Sequence, residues 1–157
     1  MKPAAERVQQ ILAGLGLDSQ IVEFGESTKT AADAAAAIGT TVAQIAKSIV
    51  FAAGDEPVMV IASGSNRIDP ARVQPYVAAA LTKANAAFVR DHIGYVIGGV
   101  PPVGHTTSFP IFIDRDLLQY PEIWAAGGTP NTVFPIAPAN LVRVTGGRVI
   151  DCKEELL

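Results

Sequence analysis

Residues 97–105, "IGGVPPVGH", combine residue types that could bind a ligand through the backbone, and we call this segment the first glycine loop. Glycine lets peptide N–H groups approach a ligand closely, and two adjacent prolines stiffen the chain around them. The N–H groups of Gly98, Gly99 and Val100 could hold a carbonyl oxygen as negative charge develops on it. The prolines have no N–H, so their contribution would be rigidity. The alternative interpretation is a tight structural turn.

A second segment of the same kind lies at 126–132, "AGGTPNT", and we call it the second glycine loop. Its small residues could form the floor of a shallow pocket. The side chains of Thr129, Asn131 and Thr132 could then hydrogen-bond a ligand. Another turn between two strands is the competing interpretation.

Lys47 is notable for its position. The pattern predicts a short helix over 40–47, "TTVAQIAK", and a buried strand over 48–53, "SIVFAA". A solvated lysine at a helix C-terminus is favoured by the helix dipole. The other interpretation is a cation at the mouth of a pocket, where it could bind a phosphate or polarise a carbonyl group.

Other groups that could do chemistry are few. His105 ends the first glycine loop and could donate, accept or move a proton, or it could be a structural hydrogen-bonding residue. The only other histidine is His92, and no H-E-x-x-H pattern occurs, so a metal site is not expected. The single cysteine, Cys152, excludes an internal disulfide and a cysteine-based zinc site. No cofactor motif is present.

The elements that must position these residues alternate between helices and short strands. Predicted helices cover 3–15, 31–39, 85–92 and 137–144, and hydroxyls in 27–30, Ser27 and Thr28 among them, are predicted to cap the second helix. Predicted strands cover 20–24, 48–53, 58–63, 109–114, 122–126, 132–136 and 147–152, with a hairpin at 48–63. This pattern predicts an α/β (α+β) fold with a mixed, largely curled sheet or barrel and helices around it. We expect residues 1–157 to form one domain.

Composition limits the classes of function. The chain has 157 residues, of which 49% are hydrophobic and 17% charged, so disorder is not expected. No apolar run reaches the ~18 residues of a membrane span, so no membrane association is expected and the cytoplasm is the expected compartment. The formal net charge is −3, and the basic residues form no dense cluster. A nucleic-acid partner would therefore be contacted locally.

Together, these segments resemble the YbaK/prolyl-tRNA-synthetase-associated editing domain family. The motifs that carry the resemblance, in chain order, are the alanine-rich helix, "IAKSIVF", "VIASGSNRID", "IGGVPPVGH" and "WAAGGTPNTVF". Gly98 and Pro102 have the glycine-x-x-x-proline spacing of the family's substrate loop. The resemblance extends from about Val22 to Val144.

The resemblance implies hydrolysis of the ester that joins a wrongly attached amino acid to a tRNA, often tRNA(Pro). It implies contact with the acceptor end of the aminoacyl-tRNA and possible contact with an aminoacyl-tRNA synthetase. The family's lysine corresponds to Lys47, and its glycine/proline loop corresponds to Gly98 through Pro102. For the late polar residue that some members use, the candidates here are Asn131 and Thr132.

The sequence therefore predicts Lys47 as the catalytic residue. The predicted substrate-binding residues are Gly98, Gly99, Val100, Pro101, Pro102, Gly104, His105, Gly128, Thr129, Asn131 and Thr132. The expected substrate is tRNA(Pro) carrying a small wrong amino acid: cysteine, alanine, serine or threonine. A non-catalytic module that binds a nucleotide or aminoacyl group and regulates a synthetase is the alternative, because the same loops could serve binding alone.

Overall fold

The structure is a computed structural model that describes residues 1–25 and 30–155. Within these ranges the chain forms five α-helices and one eight-stranded sheet. The helices are α1 (Pro3–Gly14), α2 (Ala31–Ile38), α3 (Pro70–Val73), α4 (Ala86–Ile93) and α5 (Pro138–Thr145). The strands are β1 (Val22–Glu23), β2 (Ile45–Ala53), β3 (Glu56–Ser63), β4 (Leu81–Lys83), β5 (Ile111–Asp114), β6 (Ile123–Ala126), β7 (Thr132–Ile136) and β8 (Arg148–Ile150).

The sheet is mixed, as the sequence predicts. Its strand order is β1-β7-β6-β2-β3-β5-β8, and β4 pairs with β2 outside this path. Strands β2 and β3 form the predicted antiparallel hairpin, whereas β2–β6, β3–β5 and β5–β8 are parallel pairs. The mixed α/β architecture is therefore confirmed.

Strand β2 has different neighbours along its two edges. On one edge it pairs with β3 continuously from Ala46 to Ala53. On the other edge β6 pairs only with Ile45 and Ala46, and β4 pairs only with residues 51–53. Among the described residues no strand pairs with 47–50 on that side, and we call these residues the open edge.

The predicted helix over 40–47 is wrong. Only a short 3-10 turn forms, at Val42–Gln44, and β2 already begins at Ile45. Pairing with β3 and β6 draws this segment into the sheet, because ladder hydrogen bonds and burial of Ile45 outweigh a weak local helix preference. Lys47 consequently lies inside a strand rather than at a helix C-terminus.

The helix ends follow the sequence signals where they can be checked. Thr30 caps α2 by accepting a hydrogen bond from the N–H of Asp33 at 3.0 Å, and Asn85 caps α4 in the same way. The predicted caps at Ser27 and Thr28 lie outside the described residues. The predicted strand at 20–24 is reduced to the two residues of β1, paired with β7.

The main core lies between the sheet and helices α1, α4 and α5. Its largest fully buried side chains include Leu12 of α1, Ile93 of α4, Leu141 of α5 and Phe134 of β7. No helix of the described ranges is long and apolar enough to span a membrane. Burial raises the pKa of the Cys152 thiol to about 12, with nearby carboxylates adding to the effect, so this group is a packed side chain rather than a nucleophile.

A buried carboxylate joins the ends of two parallel strands. Asp114, at the end of β5, is 1% exposed and accepts hydrogen bonds from the N–H of Ser63 (3.0 Å), the amide of Asn66 (2.9 Å) and the N–H of Asp116 (3.0 Å). Asn66 also donates to Asp116, which lowers the pKa of that carboxyl group, and Lys153 adds to the effect. The segment that follows β3 is thus held by this carboxylate.

We predict that Asp114→Ala lowers the free energy of unfolding by about 3 kcal/mol, because three donors lose their acceptor and two of them are main-chain N–H groups. Urea titration followed by circular dichroism measures the change. Asp18→Ala, at an exposed carboxylate, is the control and should change stability little. Equal stability of the two variants would contradict the assignment.

Candidate functional site

A cavity of about 430 Å³ opens beside the open edge of β2. All the open-edge residues line it, together with residues of β4, β6, β7, α2 and the first glycine loop. The side chains around it are mostly small or aliphatic, with Trp124 as the largest ring. The cavity exists because β6 and β4 leave a space between them along β2.

The open edge directs backbone donors toward this cavity. Met59, the β3 partner of Val50, gives its own N–H to Pro110 at 3.0 Å, so Met59 and Val50 do not exchange hydrogen bonds. In an antiparallel ladder such a pair turns its N–H groups away from each other, and the direction repeats every second residue. The N–H groups of Val50 and Ser48 therefore point to the open edge.

Ser48 is a candidate that sequence reasoning missed. Its Oγ is buried and, among the described residues, is the only buried side-chain nitrogen or oxygen without a hydrogen-bond partner. Buried polar groups without partners are rare in folded proteins and call for an explanation. Because Ser48 lines the cavity, the hydroxyl is available to a ligand there. A serine inside a strand gives no such signal in the sequence, since most strand serines find a partner.

Two lysines make the cavity electropositive. Lys47 of β2 and Lys83 of β4 both line it, and both are exposed. Neither takes part in any ion pair found among the described residues, and no acidic side chain is among the described residues that line the cavity. An anionic ligand would therefore meet two cations and no competing carboxylate from this described part of the wall.

The first glycine loop reaches the cavity with its N-terminal half. Gly98 and Val100 line the cavity, and Gly98 has a φ of 90°, a left-handed conformation that a side chain disfavours. Gly99 faces the second glycine loop instead: a Cβ there would lie 2.7 Å from the carbonyl carbon of Thr129. Glycine is required at 99 because the two loops touch through their backbones.

The second glycine loop uses most of its polar groups internally. The hydroxyls of Thr129 and Thr132 lie 2.8 Å apart, and Asn131 donates its amide to the carbonyl of Phe24 at 2.6 Å. Thr132 lines the cavity, whereas Thr129 and Asn131 do not. The loop is thus held rigidly, and Thr132 is the member that lies at the cavity.

His105 lies away from the cavity. Its Nε2 is 2.6 Å from the carbonyl oxygen of Pro101, and its ring packs at 4.9 Å from that of Phe109. Burial lowers the pKa of His105, and the hydrogen bond to Pro101 offsets this only in part. His105, the last residue of the first glycine loop, therefore hydrogen-bonds the backbone of the loop itself and does not line the cavity.

The structure brings together only part of the set predicted from the sequence. The members that line the cavity are Lys47, Gly98, Val100 and Thr132. The members that line a separate, shallower depression are Pro102, Gly104 and His105. The members that line neither are Gly99, Pro101, Gly128, Thr129 and Asn131.

Comparison with known proteins identifies the family. Residues 25–144 match the family model of the aminoacyl-tRNA editing domain. The chain belongs to this family. The matched segment contains every residue of the cavity wall, whereas α1 precedes it.

Three relatives illustrate the match. A solved structure described as that of a putative trans-editing enzyme for prolyl tRNA synthetase is 44% identical, with a TM-score of 0.93 and 99% of each chain covered. The protein named "Putative Cys-tRNA(Pro)/Cys-tRNA(Cys) deacylase EbsC" from Enterococcus faecalis is 23% identical over 80% of this chain and 77% of its own length. The proline–tRNA ligase of Leuconostoc mesenteroides is 32% identical over 88 residues, which are 55% of this chain and 15% of the ligase. Together with the family match, these relatives support an aminoacyl-tRNA deacylase function.

We predict that His105 makes the stability of this editing domain depend on pH. The folded state has a lowered pKa for His105, so the neutral ring is favoured and the unfolded chain binds the proton more readily. His105 therefore contributes stability above its ordinary pKa of 6.5, and this contribution is lost as the pH falls through the folded-state pKa. Among the described side chains that line the depression, no other is ionisable.

The measurement is the free energy of unfolding of wild type and His105→Gln between pH 8 and pH 5. The glutamine amide can still donate to Pro101 but cannot titrate. The advantage of the wild type should shrink as the pH falls. Parallel curves for the two proteins would contradict the prediction.

Proposed function

We propose that this protein hydrolyses the ester of mischarged aminoacyl-tRNA, with tRNA(Pro) carrying cysteine, alanine, serine or threonine as the expected substrate. One observation carries the proposal. Lys47 and the N-terminal half of the first glycine loop, which are far apart in the sequence, line a single cavity in a chain of the editing family. A cation and a rigid set of backbone donors are the parts that this hydrolysis needs.

The cavity is suited to the 3′ end of a charged tRNA. Its two lysines favour the phosphate of the terminal nucleotide, and Lys47 also lies next to the orphaned hydroxyl of Ser48 in the chain. Alanine and valine side chains dominate the remaining wall, which suits a small acyl side chain. Discriminating one methyl group in such a wall amounts to only ~1–3 kcal/mol, so several small amino acids remain candidates.

The proposed chemistry needs no covalent nucleophile. The aminoacyl ester is already activated, and the oxygen of a water molecule attacks its carbonyl carbon. The N–H groups of Gly98 and Val100 orient the ester and stabilise the charge that develops on the carbonyl oxygen. The N–H of Gly99 takes no part, because it already donates to the carbonyl oxygen of Val96 at 3.0 Å. The bond to the ribose oxygen then breaks, that oxygen takes the proton that the attacking water gives up, and the free amino acid and the uncharged tRNA leave.

Lys47 and Ser48 have separate proposed roles. Lys47 binds the terminal phosphate or polarises the ester, and its positive charge stabilises the transition state more than the ground state. Ser48 supplies a hydrogen bond from its hydroxyl, and the N–H groups of Ser48 and Val50 at the open edge add neighbouring donors. Placement and electrostatics together supply most of the rate.

The tRNA contact is expected to be local. The chain has a formal net charge of −3, and its cations at the cavity are few, so the protein is proposed to bind the acceptor end. The relative that is a proline–tRNA ligase makes a prolyl-tRNA synthetase the proposed protein partner. The cytoplasm, where aminoacyl-tRNA is used, is the proposed compartment.

We predict that Lys47→Ala lowers deacylation at least a hundredfold without unfolding the protein, because the lysine is exposed and makes no ion pair in the described structure. The measurement is release of amino acid from tRNA(Pro) charged with Ala, Cys, Ser, Thr or Pro. Lys2→Ala, at an exposed lysine that does not line the cavity, is the matched control and should keep the wild-type rate.

Rapid loss of one ester in wild type alone would name the substrate. Normal turnover by Lys47→Ala would reject the catalytic role of Lys47. Binding of charged tRNA with no turnover of any ester would instead favour the non-catalytic module.

We predict opposite effects of Ser48→Ala on stability and on activity. The hydroxyl is buried without a partner, so removing it should raise the free energy of unfolding by about 1 kcal/mol. Deacylation should fall about tenfold, because the substrate loses a hydrogen bond. Ser108→Ala, at an exposed serine, is the control and should change neither quantity. A Ser48→Ala protein with lower stability and full activity would contradict this role.

A further inference from the structure

Helix α1 contacts the back of both glycine loops. A Cβ at Gly104 would lie 2.6 Å from Cδ1 of Ile11, and a Cβ at Gly128 would lie 2.9 Å from the carbonyl oxygen of Ala4. Both glycines have positive φ values, 83° and 107°, so neither position accepts a side chain. The helix therefore packs directly on both loops, with the Ile11 side chain against Gly104 and the backbone of Ala4 against Gly128.

A hydrogen-bond chain continues from this helix into the first glycine loop. Arg7 donates from Nε to the hydroxyl oxygen of Tyr95 at 3.2 Å, and its guanidinium carbon lies 4.7 Å from the centre of the tyrosine ring. The hydroxyl of Tyr95 in turn donates to the carbonyl oxygen of Gly104 at 3.0 Å. Tyr95 is 3% exposed, so its buried hydroxyl depends on Arg7 and Gly104 for its hydrogen bonds.

This chain of hydrogen bonds ends at the C-terminal end of the first glycine loop, and the N-terminal half of the same loop forms part of the cavity wall. Gly98 and Val100 line the cavity, and Gly104 lies at the C-terminal end of the same loop. Between them, two prolines remove much of the backbone freedom, so a displacement at Gly104 is transmitted along the loop. Arg7 and Tyr95 do not themselves line the cavity.

We propose that Arg7 and Tyr95 are positioning residues: through Gly104 they hold the first glycine loop at the distance from the open edge of β2 that the reaction requires. This inference rests on the proposed function, because that function assigns the loop's N–H groups to the ester carbonyl. Donors that stabilise developing charge work only when they are already in place. Displacing them should lower kcat more than it raises KM, since the contact strengthens in the transition state.

The first experiment compares wild type with Tyr95→Phe, which removes one oxygen and keeps the ring. We expect kcat for the deacylated ester to fall about tenfold, in line with loss of one buried hydrogen bond, with KM changed less than twofold. Hydrogen exchange should become faster at the amides of the non-proline residues in 98–104 and stay unchanged in β2 and β3. A merely structural role would lower the melting temperature without this local change.

Variants of Arg7 test the first donor of this chain of hydrogen bonds. Arg7→Met keeps the length of the side chain but removes the donor and the charge, and it should reproduce the kinetic defect of Tyr95→Phe in part. Arg7→Lys keeps a donor and a cation, and it should recover part of the lost kcat. The double variant with Tyr95→Phe should lose less than the product of the two single defects, because the two residues share the hydrogen bond at the Tyr95 hydroxyl. The second hydrogen bond of Arg7, from Nη2 to the carbonyl oxygen of Gly94 at 3.4 Å, does not pass through that hydroxyl.

The chain offers a matched control pair. Arg148 lies over the ring of Tyr76 at 4.4 Å, as Arg7 lies over Tyr95, but neither Arg148 nor Tyr76 lines the cavity. Tyr76→Phe and Arg148→Met should leave kcat, KM and loop exchange at the wild-type values. An equal defect in the control pair would overturn the proposal, as would wild-type kcat and loop exchange in Tyr95→Phe.

Failure of the proposed function would be distinguishable. Wild type that deacylates none of the esters rejects the deacylase proposal. The amide-exchange comparison then still decides whether Arg7 and Tyr95 position the loop. Faster exchange confined to 98–104 in Tyr95→Phe supports the positioning role of the two residues, and unchanged exchange overturns it.

Discussion

The site depends on incomplete pairing along one edge of β2. Strand β3 pairs along the whole of the opposite edge of β2. On the interrupted edge, the pairing of β2 with β6 ends at Ala46, and its pairing with β4 starts at Phe51. A fully paired edge would bury the N–H groups of Ser48 and Val50 in ladder hydrogen bonds and would fill the cavity with a strand. The interruption leaves donors, a hydroxyl and a lysine beside an apolar space within an otherwise rigid sheet.

The two glycine loops complete the cavity because they can approach each other without side chains. Gly99 rests against the backbone of Thr129, while Gly104 and Gly128 rest against helix α1. The rigidity of this arrangement comes from backbone contacts and from the hydrogen bonds of Tyr95 and His105 to loop carbonyls. Gly104 and His105, which the sequence predicted to bind substrate, thus support the loop and do not line the cavity.

Ser48 and His105 show a limit of reasoning from residue type. Histidine can carry a proton and was therefore a sequence candidate, yet His105 lines a depression outside the cavity and packs on Phe109. A serine inside a strand was not a candidate, yet the hydroxyl of Ser48 lies at the cavity without a hydrogen-bond partner among the described residues. Residue type indicates what a side chain can do, whereas only the packing decides whether it has already found a partner.

The sequence by itself determined the mixed α/β fold, the β2–β3 hairpin, the cap at Thr30 and the family, because these depend on local periodicity, short-range hydrogen bonds and ordered motifs. It misassigned 40–47 as a helix, since the pairing that makes Lys47 a strand residue comes from β3 and β6. Only the tertiary structure decided that Lys47, Ser48, Gly98 and Thr132 share a cavity. The register of distant strands and the contact between two loops set that outcome, and neither leaves a periodic signal in the chain.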